Sequence, residues 1–176
     1  MTKTNFLFEN FKNIQDLIKF ADQKAGAILV ICGIILTVFM GFAKPLYIVN
    51  IDNLAKCDNL TISILVFILG LVLAILLVVI FGICIFKILK PKFAKNYSEG
   101  SSSMFYFEHI AKLTKSEFKE RTKSISKKSI KKDLSEQIYE VSKILMQKNK
   151  YCAITMNLLF VAVIDLLLFV FFSNQL

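Results

Sequence analysis

The chain has 176 residues, 56% of them hydrophobic, and a net charge of +9. About 68 residues fall in three apolar runs, at 25–43, 60–86 and 151–172, so no room remains for a large soluble catalytic domain. Four cysteines (Cys32, Cys57, Cys84 and Cys152) form no C-x-x-C pair, which excludes a small disulfide scaffold and a thiolate zinc site.

In chain order, residues 1–24 carry apolar side chains at helical spacing: Leu7, Phe11, Ile14, Leu17 or Ile18, Ala21 and Ala25. The spacing predicts an amphipathic helix that runs straight into the first apolar run and stops at Lys44-Pro45. At about 1.5 Å per residue, about 20 residues cross a hydrocarbon core of about 30 Å, so each run is long enough to span. The first two runs contain no charged residue and the third contains only Asp165. The 27-residue second run must tilt or protrude. Residues 96–104 read as turns, followed by a short helix over 104–113. Thr114 and Glu117 form a capping-box pattern that starts a second helix near Lys115. From about Ile130 a long helix carries Leu134, Ile138, Val141 and Leu145 on one stripe into the third run. The fold class is an all-α integral membrane protein: three transmembrane helices with a helical cytoplasmic insert between the second and third. The apolar stripes of the first and last helices are expected to face each other beyond the bilayer.

Charge sets the orientation. Residues 87–150 hold sixteen of the 22 cations against seven acids, whereas the 44–59 loop holds two and the tail at 173–176 none. Cationic flanks stay in the cytoplasm, so residues 1–24 and 87–150 are expected inside, and the 44–59 loop and the tail outside. The Lys-rich 119–132 stretch suits anionic lipid headgroups or a small anion; without a reading module, nucleic acid is not an expected partner.

Candidate functional residues are few. His109 is the single histidine, and no catalytic or metal-ligating constellation accompanies it, so no enzymatic activity, cofactor or metal is expected. Gly33, Thr37 and Gly41 in the first span, and Gly70 and Ala74 in the second, form small-residue faces that let helices approach closely, within one subunit or between subunits. Asp165 is expensive in a bilayer, at about 2.5–3.5 kcal/mol on insertion scales. It lies at roughly the depth of Thr37, an expected hydrogen-bond partner, and is either a packed acid or a pore-lining carboxylate.

Three motifs go further: Ala21-Asp-Gln-Lys-Ala-Gly26 at the membrane mouth, Phe105-Tyr-Phe-Glu-His-Ile-Ala111 with Phe118, and Glu136-Gln-Ile-Tyr139 with Ser142, Ile144 and Lys148. In this order around three spans, they resemble the transmembrane effector family of the bacterial Pycsar antiphage systems. The resemblance implies a multi-pass protein of the bacterial inner membrane. A partner nucleotide cyclase makes cyclic UMP or cyclic CMP on infection, and the effector disrupts the membrane as a homo-oligomer so that the infected cell dies. The chain departs from the pattern in lacking a separate cyclic-nucleotide-binding domain. Two readings of the motif residues stand side by side. Asp22, Lys24, Gln137 and Lys148 form a polar clasp, or they join Phe107 and His109 in a collar that binds the cyclic mononucleotide. The alternatives to the whole reading are a small helical membrane scaffold or channel without a nucleotide trigger, and an effector of a related nucleotide-signalled defence system.

Overall fold

A computed structural model describes residues 3–46, 60–91 and 103–175, with the backbone alone at 44–46, 60 and 107. The elements are α1 (Lys3–Leu46), α2 (Leu60–Ile83), a π-helical turn (Cys84–Leu89), α3 (Phe107–Ala111), α4 (Lys115–Ser124) and α5 (Lys127–Ser173). No strand occurs among the described residues. Three helical stretches are long and apolar enough to cross a membrane, so the chain is the all-α membrane protein that its apolar runs predict. Cys57, with the rest of the expected outer loop past Leu46, and the turn-rich stretch up to Ser102 lie outside the described residues.

The chain divides into two compact units, Asp22–Lys90 with Lys150–Leu176, and Met1–Ala21 with Pro91–Asn149. The first contains the apolar runs. Its buried positions recur at intervals of three, four or seven: Ala25, Ile28, Cys32 and Ile35 on α1; Val66, Leu73, Leu77 and Ile80 on α2, continued by Cys84 at the start of the π-turn; and Cys152, Thr155, Ala162, Asp165 and Phe169 on α5. This is the seam period of helices packed at shallow angles. Lipid supplies no hydrophobic drive between helices, so close approach of small residues does the work instead. Cys84 lies beside Thr155 and near Cys32 and Cys152, so the three helices meet there through small side chains. At the other end, Phe169 packs with Ala43 and Val66.

Three expectations need correction. Helix α1 runs through Pro45 to Leu46, one residue past the expected stop at Lys44-Pro45; a proline in a last turn removes only one backbone bond, to the Gly41 carbonyl, and a helix about to end loses little by it. The second span does not stay α-helical to Phe86. It widens into a π-turn from Cys84, closed by Lys90 N–H donating to the Ile85 carbonyl at 2.9 Å. Pro91 then holds Lys90 in an extended conformation, ending the helix. The third concerns the helix expected from residue 104, which begins only at Phe107. The Phe105 and Tyr106 amides donate instead to the Ser103 hydroxyl, at 3.1 and 3.2 Å, a local turn that competes with helix.

In the second unit, Ile14 and Ala21 on α1 and Leu134 on α5 are buried, as the stripes predict. Of the two residues left open at one position, Ile18 is half-buried and Leu17 exposed. Helix α5 starts a turn earlier than expected because Ser126 caps it, its hydroxyl accepting from Ser129 N–H at 3.1 Å.

The capping box on α4 forms as predicted. Thr114 donates its amide and its hydroxyl to Glu117 Oε2, at 2.7 and 2.8 Å. These bonds, the amide first and the hydroxyl second, hold the Glu117 carboxyl below its ordinary value of 4.5, with a smaller contribution from Arg121. A depressed carboxyl contributes its full stabilisation above the ordinary value and loses it as pH falls through the folded one. The Thr114 amide proton resonance should therefore shift as pH is lowered below about 4.5, and Glu117→Gln should leave it unchanged.

Candidate functional site

The conspicuous polar cluster lies in the second unit and centres on a residue without an obvious sequence signature. Ser103 is 2% exposed, and its hydroxyl accepts from the Gln137 amide at 3.1 Å as well as from the Phe105 and Tyr106 N–H groups. Its own amide donates to His109 Nδ1 at 3.0 Å, so that ring nitrogen carries no proton. One residue on, Met104 N–H donates to Asp133 Oδ2 at 2.7 Å. The Tyr106 and His109 rings meet edge to face at 5.2 Å, and Phe105 meets Phe8 at 5.9 Å. Ser103, Asp133 and Gln137 thus latch the aromatic segment onto α5.

Beside the latch lies a polar cavity of about 350 Å³, walled by Ser103, Met104 and Asp133 and continued by Arg121, Ser124 to Ser126, Ser129, Lys132 and Glu136. That is near the lower end of small-molecule pockets, at about 300–1,000 Å³. Two cations and two carboxylates face it. The Asp133 carboxylate is engaged by Met104 N–H, and Glu136 lies 4.0 Å from Lys132. The Ser129 hydroxyl has no partner among the described residues. The wall can therefore offer a guanidinium to an anion, hydroxyls to a sugar and a carboxylate to ligand donors.

Of the six residues of the expected collar, Asp22 and Lys24 belong to the membrane unit, and Phe107, His109, Gln137 and Lys148 to the other. Gln137 and His109 are tied to Ser103, Lys148 is buried at 6% exposure, and the side chain of Phe107 lies outside the described residues. Arg121, Ser103 and Asp133 were not among the expected site residues. Ser103 and Asp133 meet their partners across 34 and 29 residues of sequence, and no local motif announces such a contact.

Within the membrane unit, Asp165 is 7% exposed and its Oδ2 has no hydrogen-bond partner among the described residues. The expected bond to Thr37 is not made. The Thr37 hydroxyl is exposed and donates to the Gly33 carbonyl of its own helix at 2.9 Å, because matching depth along two helices says nothing about the direction each side chain faces. The small-residue faces also part company. A Cβ on Gly70 would sit 3.3 Å from the Phe169 ring and 3.4 Å from that of Phe39, so glycine permits this close packing, whereas none of the described residues lies within 4 Å of such a Cβ on Gly33 or Gly41. Ala74 lines an apolar groove of about 430 Å³ with Gly70, Phe39 and Phe169.

Three helices long and apolar enough to span, with a small polar helical unit in the same chain, define a multi-pass membrane protein. The chain belongs to the Pycsar effector protein domain family, whose model matches residues 6–173. No curated protein and no solved structure matches it. Membership makes it a membrane effector of Pycsar antiphage defence, in a family of effectors that are not known enzymes.

Proposed function

We propose that a cyclic pyrimidine mononucleotide, cyclic UMP or cyclic CMP from a partner cyclase, binds the cavity beside the latch, and that the chain, as a homo-oligomer, then breaches the inner membrane. The observation that carries the trigger reading is the cavity: its volume suits a mononucleotide, and Arg121 faces it with hydroxyls and a carboxylate nearby. A ligand that moves Asp133 acts on α5 directly, and one that moves Ser103 acts on it through Gln137; from these two residues α5 runs unbroken to Ser173. The latch is then the element that the trigger biases, and Gln137 and His109 act by holding it.

A charge-assisted bond contributes about 1.5–3 kcal/mol, so Arg121→Ala should weaken nucleotide binding roughly tenfold to hundredfold. Calorimetry on the full chain in detergent, with cyclic UMP and cyclic CMP, measures this. Loss of binding in Lys24→Ala and Lys148→Ala, with Arg121→Ala unaffected, would return the site to the collar. No binding by the wild type would remove the trigger and favour a membrane scaffold or channel. In cells, infection beside the partner cyclase should bring dye uptake and collapse of the membrane potential.

The orientation follows from the twenty-to-two division of cations. A cysteine placed at Ser102 should be shielded from impermeant maleimide in intact cells. Labelling from outside would overturn the cytoplasmic placement of residues 87–150.

A further inference from the structure

We infer that two copies of this chain pair through the α5 face that carries Ala153 and Asn157, with the Asn157 amides hydrogen-bonded to each other. This rests on the homo-oligomer reading above and supplies it with a contact. Asn157 is exposed in the membrane unit, and no hydrogen bond or other interaction engages its side chain among the described residues. Around it on α5, Ile154, Met156, Phe160, Val161 and Ile164 are all exposed, so this surface is apolar and faces lipid.

Position makes the amide costly. Asn157 lies seven residues past Lys150, the last cation before the span, or about 10 Å into a hydrocarbon layer about 30 Å thick. A primary amide has two N–H donors and an acceptor oxygen, and lipid tails satisfy none of them. Thr37, an exposed polar residue of the first span, differs in this respect, because its hydroxyl already bonds the Gly33 carbonyl. The occupant must therefore bring its own donor and acceptor to this depth. A second copy does so by symmetry, since an amide is self-complementary and a twofold pairing puts each Asn157 against the other. Ala153, one turn away and also exposed, lets the two backbones come close enough for the bond. An apolar membrane partner or an acyl chain could cover the face but would leave the amide unpaired.

The test is the association of fluorescently labelled full-length protein in liposomes, followed by energy transfer as the lipid-to-protein ratio is raised. Asn157→Leu should weaken association roughly fivefold to thirtyfold. Asn157→Gln, which keeps the amide, should restore most of it, and Thr37→Val should leave it unchanged. Far-UV circular dichroism of each variant, matching wild type, confirms that the helices are intact. Association of Asn157→Leu equal to wild type, or of Asn157→Gln no better than Leu, would overturn the interface while leaving the oligomer standing. A wild type that stays monomeric at every ratio would overturn both.

Discussion

Replacing Asp165 with valine should make the membrane unit easier to insert and the protein less able to kill. An acid near mid-membrane costs about 2.5–3.5 kcal/mol on insertion scales, whereas valine contributes about 0.3–0.6 kcal/mol favourably. The exchange should gain at most about 3–4 kcal/mol, the helix-centre figure, since Asp165 lies about 22 Å past Lys150 in a layer about 30 Å thick, less about 1 kcal/mol for fitting a branched side chain into a packed position. The gain is available because the carboxylate has little to lose: it is 7% exposed, its Oδ2 has no partner among the described residues, and it occupies a seam position among apolar and small side chains. A residue whose removal stabilises the fold is held for another reason, and a change of the bundle that gives it water or a partner would supply one. The measurements are the membrane-inserted fraction and infection-dependent depolarisation. Higher insertion with depolarisation lost places Asp165 in the membrane step. Higher insertion with depolarisation unchanged makes it a tolerated packing acid, and lower insertion would mean that it supports the fold. Asp165→Asn, close in size, separates loss of charge from change of shape.

What the sequence disclosed and what it withheld divide along a physical line. The spans, the α1 and α5 stripes and the Thr114–Glu117 capping box were legible because each is a local pattern: a run, a period or a fixed spacing. The partners of those patterns were not. Depth counting placed Thr37 level with Asp165, but depth fixes one coordinate of a helical residue and leaves its direction around the axis open. Glycine spacing marked Gly33, Gly41 and Gly70 alike, and only the packed helices separate the one that meets Phe39 and Phe169 from the two that meet none of the described residues. Asn157 disappeared into an apolar run because hydropathy averages over neighbours, and one amide among leucines and phenylalanines barely lowers the mean. The π-turn at Cys84–Leu89 has no composition signal beyond Pro91, which explains where the helix ends and not why it widens. Ser103 stands at the edge of a serine run whose composition reads as loop, while its hydroxyl in fact organises the segment that follows.

Ser103→Ala should therefore open the latch. The change removes the bonds that the buried Gln137 amide and two backbone N–H groups make to the Ser103 hydroxyl. Unsatisfied buried donors cost about 1–3 kcal/mol each; the two peptide groups share one oxygen and are only partly buried, so the total should be about 2–4 kcal/mol. That energy falls on the segment around α3, whose other ties to α5 include the Met104–Asp133 bond. Hydrogen exchange reads the loss directly as local opening: protection of the Phe105 and Tyr106 amides should fall thirtyfold or more, with the α5 amides past Lys150 unchanged. Gln137→Met should cost less, about 1–2 kcal/mol, because Ser103 then keeps its two backbone donors. The double variant decides whether the two side chains act as one device. Residues that share a hydrogen bond show coupling of about 0.5–3 kcal/mol, so Ser103→Ala with Gln137→Met should cost less than the sum of the two. Additive losses would mean that Gln137 is held by its other contacts and that the latch is the serine turn alone. If the latch is also the element that nucleotide biases, Ser103→Ala should depolarise cells without infection, since the energy that the ligand must otherwise supply has already been removed.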